Sequence, residues 1–131
     1  MMKAAVRYFS RSGNTKAVAE AIAQAAGVRA VPVDAADAAL TEPADVLFIG
    51  GALYAYGLDR HLTDYLRSLK AGDAKKAVIF STSWLSKHAV DLIRRGLTEA
   101  GIPAEAAYFY AKNRPDDAQL KEAAAFAERF L

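Results

Sequence analysis

Short apolar segments alternate along this chain with stretches of helical periodicity. The strand-like segments are residues 4–9, 28–33, 46–49, 77–80 and 106–110. Between and after them, apolar side chains recur at the spacing i, i+3, i+4, i+7, which predicts amphipathic helices. The pattern therefore predicts five strands and four or five helices. The predicted buried stripes are Val18, Ala21, Ile22 and Ala25; Leu58, Leu62, Tyr65, Leu66 and Leu69; Val90, Ile93, Leu97 and Ala100; and Leu120, Ala123, Ala127 and Phe130.

Glycines and aspartates mark the predicted helix ends. Gly27, Gly72 and Gly101 follow three of the stripes, and glycine commonly terminates helices. An aspartate, Asp116 or Asp117, precedes the last stripe and is expected to cap that helix. Residues 34–44 have no convincing period, so we expect a connection there with at most one short helix.

Strands that alternate with helices predict an α/β fold with a parallel sheet and right-handed crossovers. Five strands suggest the doubly wound order 2-1-3-4-5. Pro32 near the end of the second strand cannot donate a ladder hydrogen bond, which agrees with an edge position for that strand. The unbroken apolar runs 46–49 and 77–80 are expected to be the most buried strands, and Arg7 is expected near a strand end.

Composition narrows the function classes. With 131 residues, 53% of them hydrophobic, the chain can bury one core, and we expect a single domain over residues 1–131. Its net charge of +2 comes from scattered side chains, which disfavours nucleic-acid binding. No apolar run approaches the roughly 18 residues of a membrane helix, and the start does not resemble a secretory signal, so we expect a cytoplasmic protein without membrane insertion.

Redox or catalytic chemistry would need a bound cofactor. The sequence has no cysteine, which excludes thiolate catalysis and cysteine-ligated clusters. His61 and His88 do not stand at metal-ligand spacing from a second histidine or a carboxylate, and we expect no metal. There is no GxSxG motif for serine catalysis, and we identify no catalytic residue.

Three loops are predicted to meet at the carboxyl edge of the sheet, where strand order reverses and ligands bind in such folds. They are residues 10–15, 50–57 and 81–86. The first, SRSGNT, combines hydroxyls, an amide and a glycine just before a helix, so hydrogen-bond donors and the positive helix end suit a phosphate. The sequence lacks the GxxxxGK[ST] loop of ATP-binding proteins. Alternatively, the polar residues only form a turn and cap the helix.

Three aromatic residues fall in the other two loops. Tyr54 and Tyr56 belong to the second loop, and the sole tryptophan, Trp84, belongs to the third. Aromatic side chains at the edge of a binding cleft could flank a planar ring by stacking. Each of them could instead serve only in packing.

The segment YFSRSGNTKAVAEAIA resembles the first strand, phosphate loop and first helix of flavodoxins. Ser10, Ser12, Gly13 and Thr15 fill every fixed position of the family pattern, which is Ser or Thr, any residue, Thr or Ser, Gly, any residue, Thr. GGALYAYGLDRHLTDYL is similar to the third strand, second flavin loop and following helix, and STSW begins the third loop. The resemblance covers nearly the whole chain and implies a flavodoxin-like three-layer sandwich that binds flavin mononucleotide (FMN).

The resemblance also implies where FMN binds. Residues of the first loop would hold its phosphate, those of the second would meet the flavin edge, and Tyr54, Tyr56 and Trp84 would contact the ring. Gly57 is free to adopt a positive φ angle. The expected cofactor-binding residues are Ser10, Arg11, Ser12, Gly13, Asn14, Thr15, Ala52, Leu53, Tyr54, Ala55, Tyr56, Gly57, Thr82, Ser83 and Trp84.

We therefore predict an FMN-binding electron-transfer protein, a monomer or weak dimer, that serves redox partner proteins or a small-molecule electron acceptor. Its pI near 8.9 departs from the strongly acidic balance of typical electron-carrier flavodoxins. GALYAYGLDRHLTDYLRSL also resembles menaquinone-dependent protoporphyrinogen oxidases, so an FMN-dependent oxidoreductase of that kind, or a quinone reductase, is the first alternative. A flavin-free binding or regulatory domain on the same fold is the second.

Overall fold

A computed structural model describes residues 2–54, 57–83 and 86–131 of the chain. In chain order they form β1 (Ala4–Tyr8), α1 (Asn14–Ala26), β2 (Ala30–Pro32), β3 (Val46–Gly51), β4 (Leu53–Tyr54), β5 (Gly57–Leu58), α2 (Arg60–Ser68), a 3₁₀ turn (Ala71–Asp73), β6 (Ala77–Ser83), α3 (His88–Ala100), β7 (Ala104–Lys112) and α4 (Asp117–Glu128).

Five strands form one parallel sheet in the order β2-β1-β3-β6-β7. Counted among themselves, these strands have the predicted order 2-1-3-4-5, and the α/β fold prediction is confirmed. The short strands β4 and β5, which were not predicted, form a separate antiparallel pair in which Tyr54 lies opposite Gly57. β2 is an edge strand and ends at Pro32, as the missing N–H of proline requires.

The sheet is covered on both faces, and each face has its own apolar cluster. On one face, Ile49 and Ile79 pack with α2 and α3. On the other, Phe48 and Phe80 pack with α1 and α4. Every residue of β3 and β6 is buried, which confirms that the two unbroken apolar runs are the central strands. Because helices cover both faces of the described sheet, a ligand can reach it at the strand ends.

The helix boundaries follow the predicted signals except at α2 and at the end of α4: Leu58 of the predicted α2 stripe lies in β5, and Phe130 of the last stripe follows the end of α4 at Glu128. α1 and α3 end at Gly27 and Gly101, and Asp116 caps α4 by accepting a hydrogen bond from the backbone of Gln119. α2 ends earlier than predicted, at Ser68, because the chain turns extended before the 3₁₀ turn that contains the predicted stop. Residues 34–44 form turns and bends without a helix. None of the described helices is long and apolar enough to cross a membrane.

Candidate functional site

A cavity of about 130 Å³ lies at the carboxyl edge of the sheet, beside the reversal of strand order. Its walls come from the loop after β1 with the start of α1, the segment after β3, the end of β6 and the residue after β7. Seven of its eight lining residues belong to the set selected from the sequence, and Asn113 is the eighth. The lining residues are Ser12, Asn14, Ala52, Leu53, Tyr54, Thr82, Ser83 and Asn113.

The N-terminus of α1 is chemically different from the starts of the other helices. α1 is preceded by Gly13 at φ +94°, has no side-chain cap and has no acidic residue in its first turn. By contrast, the carboxylates of Asp59 and Asp116 cap α2 and α4, and α3 carries Asp91 in its first turn. Because the positive end of a helix favours negative charge, the start of α1 is left electrostatically available to an anion.

Gly13 gives this loop its shape. A positive φ is adopted readily by glycine and only at a cost by other residues. Within the described residues, no atom beyond Gly13 and its chain neighbours lies within 4 Å of the position that a side chain on Gly13 would take, so the space beside the loop is open there. An anion can therefore approach the backbone at the start of α1 without displacing protein atoms.

The hydroxyl groups of the first loop make different contacts. The Ser10 hydroxyl accepts a hydrogen bond from the Gly13 N–H at 3.0 Å, which stabilises the turn. The Ser12 hydroxyl is 3.5 Å from the Asn14 N–H, at the long limit of a hydrogen bond, and its residue is exposed. Thr15 is buried, and its hydroxyl is hydrogen-bonded to that of Thr82 at 2.7 Å. In this loop, Ser10 and Thr15 therefore make contacts within the protein, whereas the Ser12 hydroxyl lies on the exposed, polar side.

Ser83 fixes the geometry of the opposite wall. Its hydroxyl accepts a hydrogen bond from the Leu53 N–H at 3.1 Å, which joins the second loop to the end of β6. Its carbonyl accepts hydrogen bonds from the Tyr110 hydroxyl at 2.8 Å and from the Asn113 N–H at 3.0 Å. One residue thus positions the loops that follow β3 and β7 around the cavity.

Arg11 and Asp59 form an ion pair beside the cavity. Arg11 Nη2 and Nε lie 2.6 Å and 3.0 Å from Asp59 Oδ2. His61 donates its backbone N–H to Asp59 Oδ1, and its ring Nδ1 lies 2.8 Å from the same oxygen. Burial acts to raise the pKa of the Asp59 carboxyl, but hydrogen bonds from Arg11 and His61 outweigh it and hold the pKa below its ordinary value. Asp59 is therefore a buried carboxylate.

Tyr54 lies between this ion pair and the cavity. Its hydroxyl accepts a hydrogen bond from the Arg11 N–H at 3.1 Å, and the Arg11 guanidinium carbon lies 3.9 Å from the centre of its ring. Burial raises the pKa of the Tyr54 phenol above its ordinary value, so the hydroxyl stays protonated near neutral pH. Tyr54 also lines the cavity, as a residue that flanks a bound ring would.

Three of the residues selected from the sequence, Ala55, Tyr56 and Trp84, lie outside the described residues. Gly57 pairs with Tyr54 in the short β4 and β5 hairpin. Asp59 and Asn113 are not among the cofactor-binding residues expected from the sequence. Asp59 carried a usable signal, since an aspartate before a helical stripe is a typical N-cap. Asn113 carried only a weak one, as a polar residue after the last strand.

Cavity size does not mark the site. A cavity of about 600 Å³ lies between α1 and α4, away from the strand ends, and is lined by alanines with Glu20, Leu120, Lys121 and Glu128 among others. Within the three described segments, no group of three or more histidine, aspartate or glutamate side chains is arranged to hold a metal ion. The smaller cavity differs from the larger one in its polar lining, because the hydroxyl and amide groups at the start of α1 converge on it.

Residues 5–123 match the family model described as the flavodoxin domain. The chain belongs to the flavodoxin family. No curated protein sequence matches it significantly. The match extends over nine-tenths of the chain, and it confirms the resemblance first found in the phosphate-loop motif.

Solved structures of flavodoxins share the fold over almost the whole chain. A flavodoxin from the domain Archaea is 26% identical, with a TM-score of 0.76, and the alignment covers 98% of this chain and 96% of that one. Flavodoxin 1 from Bacillus cereus is 22% identical, with a TM-score of 0.81 over 98% of this chain and 96% of that one. Each alignment of this flavodoxin-family chain thus extends over nearly all of both proteins.

The same fold occurs within a larger redox enzyme. Rubredoxin oxygen:oxidoreductase from Desulfovibrio gigas is 18% identical, with a TM-score of 0.81, over 96% of this chain but only 34% of that one. At this identity the likeness concerns the fold alone. The family implies a flavin cofactor, and the uncapped start of α1, with open space beside Gly13, fits the phosphate of FMN.

Proposed function

We propose that this protein binds FMN and transfers electrons to redox partner proteins or to a small-molecule acceptor, with the FMN phosphate held by residues 10–15. The observation that carries the proposal is the N-terminus of α1, which lacks both a side-chain cap and an acidic first turn. The other three helices have an aspartate at or near the same position. A dianionic phosphate would supply the missing negative charge there.

The hydrogen-bond donors of the first loop can hold a phosphate without an obligatory lysine. Ser12 and Asn14 line the cavity and offer a hydroxyl and an amide on its open side, next to the first turn of α1. Oriented N–H groups and hydroxyls can hold a dianion through several charge-assisted hydrogen bonds. The 130 Å³ cavity is smaller than the roughly 300–1,000 Å³ typical of pockets for drug-sized ligands, so it would hold only part of FMN.

The flavin ring would lie between the second and third loops. Tyr54 is the described residue placed to contact it, and we assign the same role to Tyr56 and Trp84 on the family resemblance. Bound FMN would supply the electron chemistry, while the protein orients it and sets its reduction potentials. Ser83 would hold the second loop and the segment after β7 in place beside the ring through its bonds to Leu53 and Asn113.

A titration of the purified protein with FMN and, in parallel, with riboflavin tests the proposal. Riboflavin has the same ring but no phosphate, so we expect saturable quenching of FMN fluorescence and much weaker binding of riboflavin. Absence of FMN binding would contradict the proposal and would favour a flavin-free role for this fold. Equal affinity for both ligands would remove the phosphate site.

Ser12→Ala is the variant that tests the phosphate contact with the least effect on the rest of the protein. Among the described residues, the Ser12 hydroxyl has a single, long intramolecular hydrogen bond. The Thr15 hydroxyl bonds that of Thr82, so Thr15→Ala would remove a buried hydrogen bond of the fold as well as a site residue. Loss of a hydrogen bond to a charged phosphate should cost about 1.5–3 kcal/mol, roughly tenfold or more in FMN affinity. Ser68→Ala, a hydroxyl bonded to Tyr65 at the far end of α2, is the matched control and should leave the affinity unchanged.

A further inference from the structure

Arg11 occupies a free position of the phosphate-loop motif, yet its side chain is engaged elsewhere. Two of its guanidinium nitrogens bond the same oxygen of Asp59, at 2.6 Å and 3.0 Å. The Asp59 side chain is only 9% exposed, whereas the Arg11 side chain is 57% exposed. The pair therefore combines a buried carboxylate with a partly solvated cation.

The Asp59 carboxylate is fully used by groups within the protein. One oxygen accepts both bonds from Arg11, and the other faces the backbone N–H and the ring of His61. A buried carboxylate needs a cation and hydrogen bonds to remain charged. The positive charge of Arg11 is thus largely offset by Asp59 and is not a free charge for a phosphate.

Arg11 contacts the second loop and the N-cap of α2 at once. Its backbone N–H bonds the Tyr54 hydroxyl, and its guanidinium lies over the face of the Tyr54 ring. Its side chain then reaches Asp59, which caps α2 five residues later along the chain. Guanidinium groups stack favourably on aromatic rings, so the contact fixes the orientation of the ring as well as its position.

We propose that Arg11 is a positioning residue that clamps the second loop to the phosphate loop and so holds Tyr54 where the flavin ring binds. In this role Arg11 acts on the ring side of FMN and makes no contact with the phosphate. The inference rests on the proposed function for its ligand. The clamp itself is a property of the protein without ligand and can be measured separately.

The affinities of Arg11→Gln for FMN and for riboflavin separate the clamp from a phosphate contact. If Arg11 positions Tyr54, the variant should weaken both ligands by a similar factor, on the order of tenfold. Ser12→Ala should weaken FMN alone. If Arg11→Gln weakened FMN but left riboflavin unchanged, Arg11 would be a phosphate ligand and the inference would be wrong. Unchanged affinity for both ligands would also overturn it.

A second measurement keeps the test decisive if Arg11→Gln is poorly folded. Arg11→Lys keeps the charge but loses the planar fork and the ring contact, so it should fold and still weaken both ligands. In the ligand-free protein, the thermal midpoints of Arg11→Gln, Asp59→Asn and the double variant form a cycle. The double variant should lower the midpoint by less than the sum of the two single changes.

Arg29→Gln provides the matched control. Arg29 pairs with Asp37 at 3.3 Å, but both side chains are more than half exposed, so the change should leave stability and ligand affinity nearly unaltered. Additive midpoints for Arg11 and Asp59 would exclude the clamp even in a protein that binds FMN. Coupled midpoints in a protein that binds no flavin would instead show that the clamp exists and that the proposed function fails.

Discussion

The hydroxyls of Thr15 and Thr82 lie 2.7 Å apart and form a hydrogen bond between the first turn of α1 and the end of β6. Both residues are almost fully buried. Thr15 belongs to the phosphate-loop motif, so one fixed position of that motif is hydrogen-bonded to the sheet. The bond sets the distance between the first loop and the third.

Replacement of either threonine by valine should destabilise the protein. Each change leaves the partner hydroxyl buried without a hydrogen bond, which costs about 1–3 kcal/mol. The double variant should be little worse than either single one, because the second change removes the unpaired group. Urea unfolding measures all three free energies. Thr98→Ala, which alters an exposed hydroxyl on α3, should change stability by less than about 0.5 kcal/mol.

Replacement of two serines of β6 by alanine should affect stability differently. The Ser81 hydroxyl is buried and has no hydrogen-bond partner within the described part of the chain, whereas the Ser83 hydroxyl accepts one from Leu53. Ser81→Ala should leave stability unchanged or increase it, because it removes an unsatisfied polar group. Ser83→Ala should lower the free energy of unfolding by about 1 kcal/mol and weaken FMN binding. Equal losses for the two variants would contradict this account.

The Asp59 carboxyl should make stability depend on acid pH. Its pKa is lowered in the folded state, so Asp59 contributes stability above the ordinary carboxyl value of 3.8, and this contribution is lost as pH falls through the lowered pKa. The difference in unfolding free energy between wild type and Asp59→Asn should therefore be largest above pH 3.8 and should shrink as the pH falls through the lowered pKa. Asp37→Asn, in an exposed pair, should show little difference from wild type throughout.

Gly13 should be sensitive to substitution for conformational reasons alone. Its φ of +94° is unfavourable for other residues, while the open space beside it means that an added methyl group meets no neighbour. Gly13→Ala should cost about 1–2 kcal/mol of stability and should lower FMN affinity by distorting the start of α1. Gly72 also has open space but no positive φ, so Gly72→Ala should be nearly neutral in both assays.

The sequence by itself determined the framework of this protein. Continuous apolar runs indicated β3 and β6 as buried strands, and Pro32 indicated an edge strand, because these features depend on local chemistry and periodicity. Helix ends at Gly27 and Gly101 followed from the same local rules. The loop motif also directed attention to the carboxyl edge of the sheet, where seven of the selected residues line a cavity.

Only the tertiary structure decided the long-range contacts. Arg7 was expected near a strand end and is the penultimate residue of β1. Its burial, with Nε donating a hydrogen bond to the Ala38 carbonyl, could not be predicted from local patterns. Arg11 and Asp59 are separated by 48 positions, and Thr15 and Thr82 by 67. Which polar groups pair depends on how helices and loops pack around the sheet, so no local pattern identifies a polar residue's partner in advance.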